Sequence, residues 1–237
     1  MSDPGSNEPS LHRTVLRVAV VAMAIGLAFA AKARIVLDRV PGTPDANARY
    51  LIYLHGRAVE EGGRRPTHPT RGVYEYDRIL DALAGGGAVV VSEQRPAGTD
   101  VDRFAAHVVE QVRSLERGGV PPERITVAGF SKGGSIAIRT SHLLKDARVN
   151  FVFLAACGDG DFADTDLKVA GRILSIYEAT DDIGRSCQDL FGKSPGPGER
   201  AEIEVHVGEQ HGTFYRVHRQ WLDPLLRWVE TASGPPR

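Results

Sequence analysis

The chain has little cysteine and almost no net charge, and both absences exclude classes of protein. Two cysteines in 237 residues can form neither a zinc site nor a disulfide-dense scaffold. Lysine and arginine number 29 against 30 acidic residues, so the net charge of −1 does not indicate a nucleic-acid-binding or acidic-membrane-binding surface. No internal repeat or long low-complexity segment is present. The composition, 42% hydrophobic and 25% charged, is that of a globular protein long enough for one sizeable α/β domain.

An uncharged apolar run near the N-terminus is too short to span a membrane. It covers residues 18–31, which is 14 residues ended by Lys32, whereas a spanning helix needs about 20. Basic residues precede the run, and small residues stand at its end, at Ala28-Phe29-Ala30 or Ala31-Lys32-Ala33, as at the cleavage site of a secretory signal. We therefore predict that residues 1–33 are an export signal, which places the protein in the periplasm or outside the cell. The alternatives are an uncleaved signal anchor that tethers the protein to a membrane, and a buried helix.

Beyond the signal, residues 34–237 are expected to form a single domain in which strands alternate with helices. Strands are predicted at residues 34–40, 50–54, 88–92, 124–128, 149–156, 172–178 and 201–207, and helices at 74–83, 101–117, 134–144 and 214–230. Several strands are continuously apolar, as in parallel sheets that are covered on both faces. The pattern predicts an α/β fold with a doubly wound, mainly parallel sheet and helices on both faces.

The segment Gly129-Phe130-Ser131-Lys132-Gly133 lies between a predicted strand and a predicted helix. A serine on such a turn has a strained backbone, and its hydroxyl projects above the sheet. Glycines two places before and after it allow the strand and the helix to cross closely. The five-residue pattern is weak evidence alone, but this context makes Ser131 a candidate nucleophile.

A serine nucleophile needs a base, and the base needs a carboxylate that orients it. In a parallel sheet, the loops at the carboxyl ends of the strands meet at one edge. Asp181 follows the strand at 172–178, and Asp182 beside it is the alternative. His211 follows the last strand. By contrast, His55 ends a strand, where we expect a structural role with its ring bonded to the backbone.

Together these segments resemble the α/β-hydrolase fold serine hydrolases, and the resemblance extends over about residues 34–230. The matching pieces are Leu54-His55-Gly56, the serine turn, the strand that leads to Asp181, and the Gly-x-x-His211-Gly-x-Phe segment. The resemblance implies Ser131 as nucleophile, His211 as general base and then general acid, and Asp181 as the orienting carboxylate.

The same resemblance implies an oxyanion hole made of backbone N–H groups. One is that of Lys132, directly after the nucleophile, and a second comes from the loop after His55. Arg57 is the first choice for that second donor and Gly56 is the second choice. The motif here is His-Gly-Arg-Ala rather than His-Gly-Gly-Gly, which leaves the second donor open.

Two segments bear on the substrate. Members of the family often insert a lid where this chain has only residues 158–171, 14 residues that cannot build a lid domain. We therefore expect an open site that accepts a small or moderate ester, or one exposed on a larger molecule. The arginine-rich segment 57–71 is expected to be a polar loop. It either borders the pocket and favours anionic acyl groups, or it is simply solvated.

The sequence thus predicts a serine esterase that cleaves a carboxylic ester through an acyl-serine intermediate, with no cofactor and no metal. A peptidase, thioesterase or acyltransferase would use the same residues, and a catalytically silent binding protein would share the scaffold. No nucleic-acid partner is expected. Contact with a membrane is expected only through the N-terminal signal. Cys157 and Cys187 can lie at the same sheet edge, so they form a disulfide in an oxidising compartment or two thiols in the cytosol.

Overall fold

Seven parallel strands form the main sheet of the computed structural model, which describes residues 1, 34–158 and 166–231. In chain order, and including the two strands of a separate hairpin, the strands of the described residues are β1 (Ile35–Leu37), β2 (Tyr50–Leu54), β3 (Thr67–His68), β4 (Gly72–Val73), β5 (Val89–Val91), β6 (Ile125–Phe130), β7 (Asn150–Leu154), β8 (Arg172–Glu178) and β9 (Arg200–Val205). The main sheet has the order β1-β5-β2-β6-β7-β8-β9, and β3 pairs with β4 in a separate antiparallel hairpin. The predicted export signal, and residues 159–165 of the segment where a lid would lie, fall outside the described residues.

The helices cover both faces of this sheet. They are α1 (Arg57–Gly62), α2 (Tyr76–Ala84), α3 (Val101–Arg117), α4 (Lys132–Leu144), α5 (Gln188–Lys193) and α6 (Arg219–Thr231), with 3₁₀ turns at Pro122–Arg124 and Gln210–Tyr215. No helix among the residues described is long and apolar enough to cross a membrane.

Strand β2 shows how the two layers of the core divide. Because successive side chains point to opposite faces, Ile52 and Leu54 lie in a core cluster with α3 and α4. Leu51 and Tyr53 lie in the second cluster, with α2 and α6. All five residues of β2 are buried, which explains why its sequence lacks polar alternation. The predicted doubly wound, parallel α/β fold is confirmed.

Two predicted elements differ from the structure. The segment expected to be a polar loop contains α1 and the β3–β4 hairpin, and its Val59 and Glu60 are buried. A buried glutamate among arginines has the sequence pattern of a solvated loop, so the prediction missed the helix. The closing helix begins at Arg219 rather than at Phe214, which belongs to a buried 3₁₀ turn. That helix continues through Pro224.

Candidate active site

Ser131 occupies the sharp turn between β6 and α4. Its backbone has φ 54° and ψ −121°, a conformation that residues other than glycine rarely adopt. A Cβ atom on Gly129 would collide with the carbonyl oxygen of Gly133, and one on Gly133 would collide with that of Leu54. The two glycines therefore allow the strand and the helix to cross closely, and Ser131 is presented to a cavity at the carboxyl edge of the sheet.

His211 lies in the 3₁₀ turn that follows β9, and it is 2% exposed. Its Nε2 atom is 2.8 Å from Oγ of Ser131. Its Nδ1 atom is 2.9 Å and 3.1 Å from the two carboxylate oxygens of Asp181. When Nδ1–H donates to the carboxylate, Nε2 has a free lone pair that can accept the hydroxyl proton. The fold thus brings together three side chains from three separate loops.

The structure distinguishes Asp181 from its neighbour Asp182. The Asp181 side chain is fully buried, and its Oδ1 also accepts the N–H groups of Ile183 at 2.8 Å and Gly184 at 3.1 Å. The Asp182 side chain is 54% exposed and pairs with Arg71, with both oxygens 3.1 Å from Nη2. Asp181 is therefore the carboxylate that contacts His211.

Glu178, which the sequence analysis missed, connects the acid loop to the histidine loop. Its carboxylate is buried at the end of β8 and accepts the N–H groups of Val207 at 2.8 Å and Gly208 at 3.2 Å. Burial raises the pKa of Glu178. The hydrogen bonds from Val207, Gly208 and Thr180 lower that pKa by more than burial raises it, so it lies below the ordinary value of 4.5. The signal in the sequence was an acidic residue at the end of an apolar strand.

Two helix N-termini adjoin the serine. Lys132 is the first residue of α4 and Arg57 is the first residue of α1, positions where the backbone N–H has no partner within the helix. A Cβ atom on Gly56 would lie 3.6 Å from Cβ of Ser131, so the start of α1 adjoins the nucleophile. The Gly56 N–H itself donates to the Tyr74 hydroxyl at 3.3 Å. Arg57 is therefore the better placed of the two candidates for the second oxyanion donor.

His55 lies beneath this loop and is completely buried. Its Nδ1–H donates to the Gly56 carbonyl at 2.9 Å, and its Nε2 accepts the Arg95 N–H at 2.9 Å. Burial, and then the charge of Arg95, lower the pKa of His55 to about 4, so the imidazole is neutral near neutral pH. Its ring contacts the backbone, as the sequence analysis expected.

The cavity in front of Ser131 has a volume of about 780 Å³. Apart from His211, its acidic and basic lining residues are Arg57, Glu61, His68, Arg71, Asp102, Lys132, Arg139, Asp182 and Arg185. Residues of the segment 57–71 thus border the cavity. Arg71 pairs with Asp182, and Nε of Arg139 lies 3.4 Å from Oδ1 of Asp102. The excess of positive charge around the cavity is therefore smaller than the number of arginines indicates. Within residues 34–158 and 166–231, no cluster of three or more His, Cys, Asp or Glu side chains could hold a metal ion.

Cys157 and Cys187 form a disulfide in the structure, with Cα atoms 5.4 Å apart. Cys157 follows β7 and Cys187 precedes α5, and both side chains are fully buried. The Arg185 N–H donates to the Ala156 carbonyl at 3.0 Å beside the disulfide. The bond thus ties the chain that follows Asp181 to the end of the neighbouring strand.

No protein-family model matches the sequence. One curated relative, an acetyl-hydrolase of Streptomyces hygroscopicus, is 27% identical over 111 residues, which are 47% of this chain and 35% of the relative. The matched segment thus spans about a third of the relative's length.

Solved structures resemble most of the chain. A structure from a study of two fungal esterases from Rhizomucor miehei has a TM-score of 0.54 at 18% identity and covers 81% of this chain and 77% of its own. A truncated carbohydrate esterase from gut microbiota has a TM-score of 0.53 at 12% identity, covering 81% and 88%. SOBER1 of Arabidopsis thaliana has a TM-score of 0.52 at 12% identity, covering 78% and 99%. With its parallel seven-stranded sheet and the serine turn between β6 and α4, the chain has the α/β-hydrolase fold.

Proposed function

We propose that the protein is a serine hydrolase that cleaves a carboxylic ester through an acyl-serine intermediate. The observation that supports this most is the continuous hydrogen-bonded path from Ser131 Oγ to His211 Nε2, 2.8 Å, and from His211 Nδ1 to Asp181, 2.9 Å. The relative named acetyl-hydrolase and the esterases among the similar structures support an ester as the substrate.

The first half of the reaction is acyl transfer to the enzyme. His211 Nε2 takes the Ser131 hydroxyl proton as Oγ attacks the ester carbonyl carbon, and Asp181 stabilises the imidazolium that forms. The carbonyl oxygen becomes an oxyanion that accepts the backbone N–H groups of Lys132 and Arg57, a stabilisation of roughly 3 kcal/mol for each donor. When the tetrahedral intermediate collapses, His211 donates its proton to the departing alcohol.

The second half releases the acid. A water molecule takes the place of the alcohol, His211 removes its proton, and the oxygen attacks the acyl-serine carbonyl. The same N–H groups stabilise the second oxyanion, and His211 then returns a proton to Ser131. A cavity of about 780 Å³ has room for an ester of small or moderate size.

The test is chemical labelling combined with substitution of the nucleophile. A fluorophosphonate should label wild-type protein at Ser131, and Ser131→Ala should abolish both labelling and p-nitrophenyl acetate hydrolysis without changing the circular dichroism spectrum. Ser114→Ala, on α3 outside the cavity lining, is the matched control and should retain both. Hydrolysis that persists in Ser131→Ala would refute the assignment, and failure of folded wild-type protein to be labelled would favour a silent binding protein.

We also propose that the protein works in an oxidising compartment, after export directed by residues 1–33. The Cys157–Cys187 disulfide supports this, since such bonds persist outside the reducing cytosol. Cell fractionation of the full chain, with thiol alkylation before and after reduction, tests it. Cytosolic protein with two alkylated thiols would contradict the proposal.

A further inference from the structure

Glu60 is a buried carboxylate on α1 whose side chain is only 1% exposed. Its Oε1 atom is 2.6 Å from Nζ of Lys132 and accepts the Thr99 N–H at 3.0 Å. Its Oε2 atom is 3.4 Å from Nε of Arg95. A buried charge is tolerated only when it is paired and hydrogen-bonded. One glutamate thus has two cationic partners and a backbone donor.

These contacts join the two helices whose first N–H groups adjoin Ser131. Glu60 lies one turn beyond Arg57 on α1, and Lys132 is the first residue of α4. The Glu60–Lys132 ion pair therefore joins the first turns of the two helices that begin with the proposed oxyanion donors. Arg95 adds a second connection, because it pairs with Glu60 and its guanidinium also donates to the carbonyl of His55, the residue that precedes the oxyanion loop.

Glu60 is the counter-charge that keeps two cationic side chains together. Lys132 and Arg95 contribute two positive charges against the single negative charge of Glu60. Burial raises the pKa of Glu60, but Lys132, and after it Arg95, lower it more, so it lies below 4.5 and the carboxylate is ionised at neutral pH. Replacing Glu60 with glutamine would leave Lys132 and Arg95, which lie near each other, without a counter-charge. Their repulsion would shift the start of α1 or α4.

We propose that Glu60 is a positioning residue that, through Lys132 and Arg95, holds the N–H groups of Arg57 and Lys132 at the separation the oxyanion requires. This inference rests on the proposed esterase function. It predicts an effect on the transition state and not on substrate binding, because the oxyanion exists only after Ser131 has attacked. A donor displaced by a fraction of an ångström loses much of its effect.

The test is Glu60→Gln, with Asp146→Asn as the matched control. Asp146 is a carboxylate with an 11% exposed side chain that pairs with Arg148 at 2.9 Å, in the loop between α4 and β7 away from the cavity. Glu60→Gln should lower kcat for p-nitrophenyl acetate by about 10- to 100-fold, with KM changed less than about threefold. Affinity for a trifluoromethyl ketone, which forms an oxyanion adduct with a serine, should fall by the same factor as kcat/KM. Asp146→Asn should leave all three constants within about twofold of wild type.

Substitutions at Lys132 test the same connection from the other helix and leave its backbone N–H in place. Lys132→Met should lower kcat by a factor similar to that of Glu60→Gln, and the double variant should be no slower than the slower single variant. Lys132→Arg keeps the charge and should recover most of the activity. If Glu60→Gln does not fold, Lys132→Met measures the effect by itself.

Three results would overturn the positioning role. They are a wild-type kcat in folded Glu60→Gln, a loss confined to thermal stability, and additive effects in the double variant. Failure of both single variants to fold would also overturn it, because the pair would then be required for the fold. If Glu60→Gln behaves like wild type while Ser131→Ala is inactive, this inference fails alone. Activity in Ser131→Ala would instead refute the proposed esterase function, on which this inference rests.

Discussion

Acidification should destabilise the fold through His55, and it should do so above the pH range in which the buried carboxylates of Glu60 and Glu178 lose their charge. His55 is buried as a neutral imidazole between the Gly56 carbonyl and the Arg95 N–H, and its pKa falls from 6.5 to about 4. A proton on Nε2 would place a positive charge against that N–H and beside a guanidinium. Because the folded pKa is below the unfolded pKa, stability is fully present above pH 6.5 and is lost as the pH falls toward 4.

The magnitude follows from the difference between the two pKa values. Each unit corresponds to 1.36 kcal/mol, so the shift from 6.5 to about 4 amounts to roughly 3 kcal/mol in total. About 2 kcal/mol of this should be lost between pH 7 and pH 5. The buried carboxylates of Glu60 and Glu178 have pKa values below 4.5, so their contribution is lost only at lower pH.

Urea unfolding at a series of pH values measures this directly, with the buried indoles of Trp221 and Trp228 as fluorescence probes. His55→Gln should be less stable than wild type at pH 7, but its free energy of unfolding should stay nearly constant down to pH 5. The control is His206→Gln, since His206 has a side chain 71% exposed, and it should retain the wild-type decline. If His55→Gln declines as steeply as wild type over this range, the assignment to His55 is wrong.

Two further substitutions test the acid loop and its disulfide. Asp181→Asn should lower kcat by about 1000-fold, because it removes the charge that stabilises the imidazolium. Asp182→Asn should lower kcat less than about tenfold. Steady-state kinetics of both variants measure these losses, and equal losses would contradict the assignment. Replacing Cys157 and Cys187 together with alanine should lower the free energy of unfolding by about 3–4 kcal/mol, since the bond closes a loop with a sequence separation of 30. Urea unfolding measures the loss, and wild-type stability in the double variant would show that the bond contributes nothing.

The order of strands and helices could be predicted because it depends on local patterns. Continuous apolar runs become strands buried on both faces, and helical spacing gives the amphipathic faces of α2 and α3. The N-terminus of α3 is equally local, because the Asp100 side chain caps it by accepting the Arg103 N–H at 2.8 Å. The turn at Ser131 is local in part: a Cβ on Gly129 would collide with Gly133, four residues on, whereas a Cβ on Gly133 would collide with Leu54 of the neighbouring strand β2.

The segment 57–71 could not be predicted, for a physical reason that applies to buried charge in general. Composition indicates that a segment rich in arginine and glutamate is solvated, and for an isolated segment that is correct. Glu60 is buried because Lys132 and Arg95, which are 72 and 35 residues away in the sequence, are brought to it by the start of α4 and by the loop after β5. No pattern within the segment contains that information.

The sequence by itself determined the class of sheet and the types of side chain that end its strands, because steric preferences and hydrophobic periodicity act over a few residues. Only the tertiary structure distinguished between neighbouring candidates: Asp181 and not Asp182 contacts His211, and Arg57 is the first residue of α1, whereas the Gly56 N–H donates to the Tyr74 hydroxyl. Adjacent residues have nearly identical local signals. What separates them is which distant group each one meets, and that depends on how the strands are ordered in space.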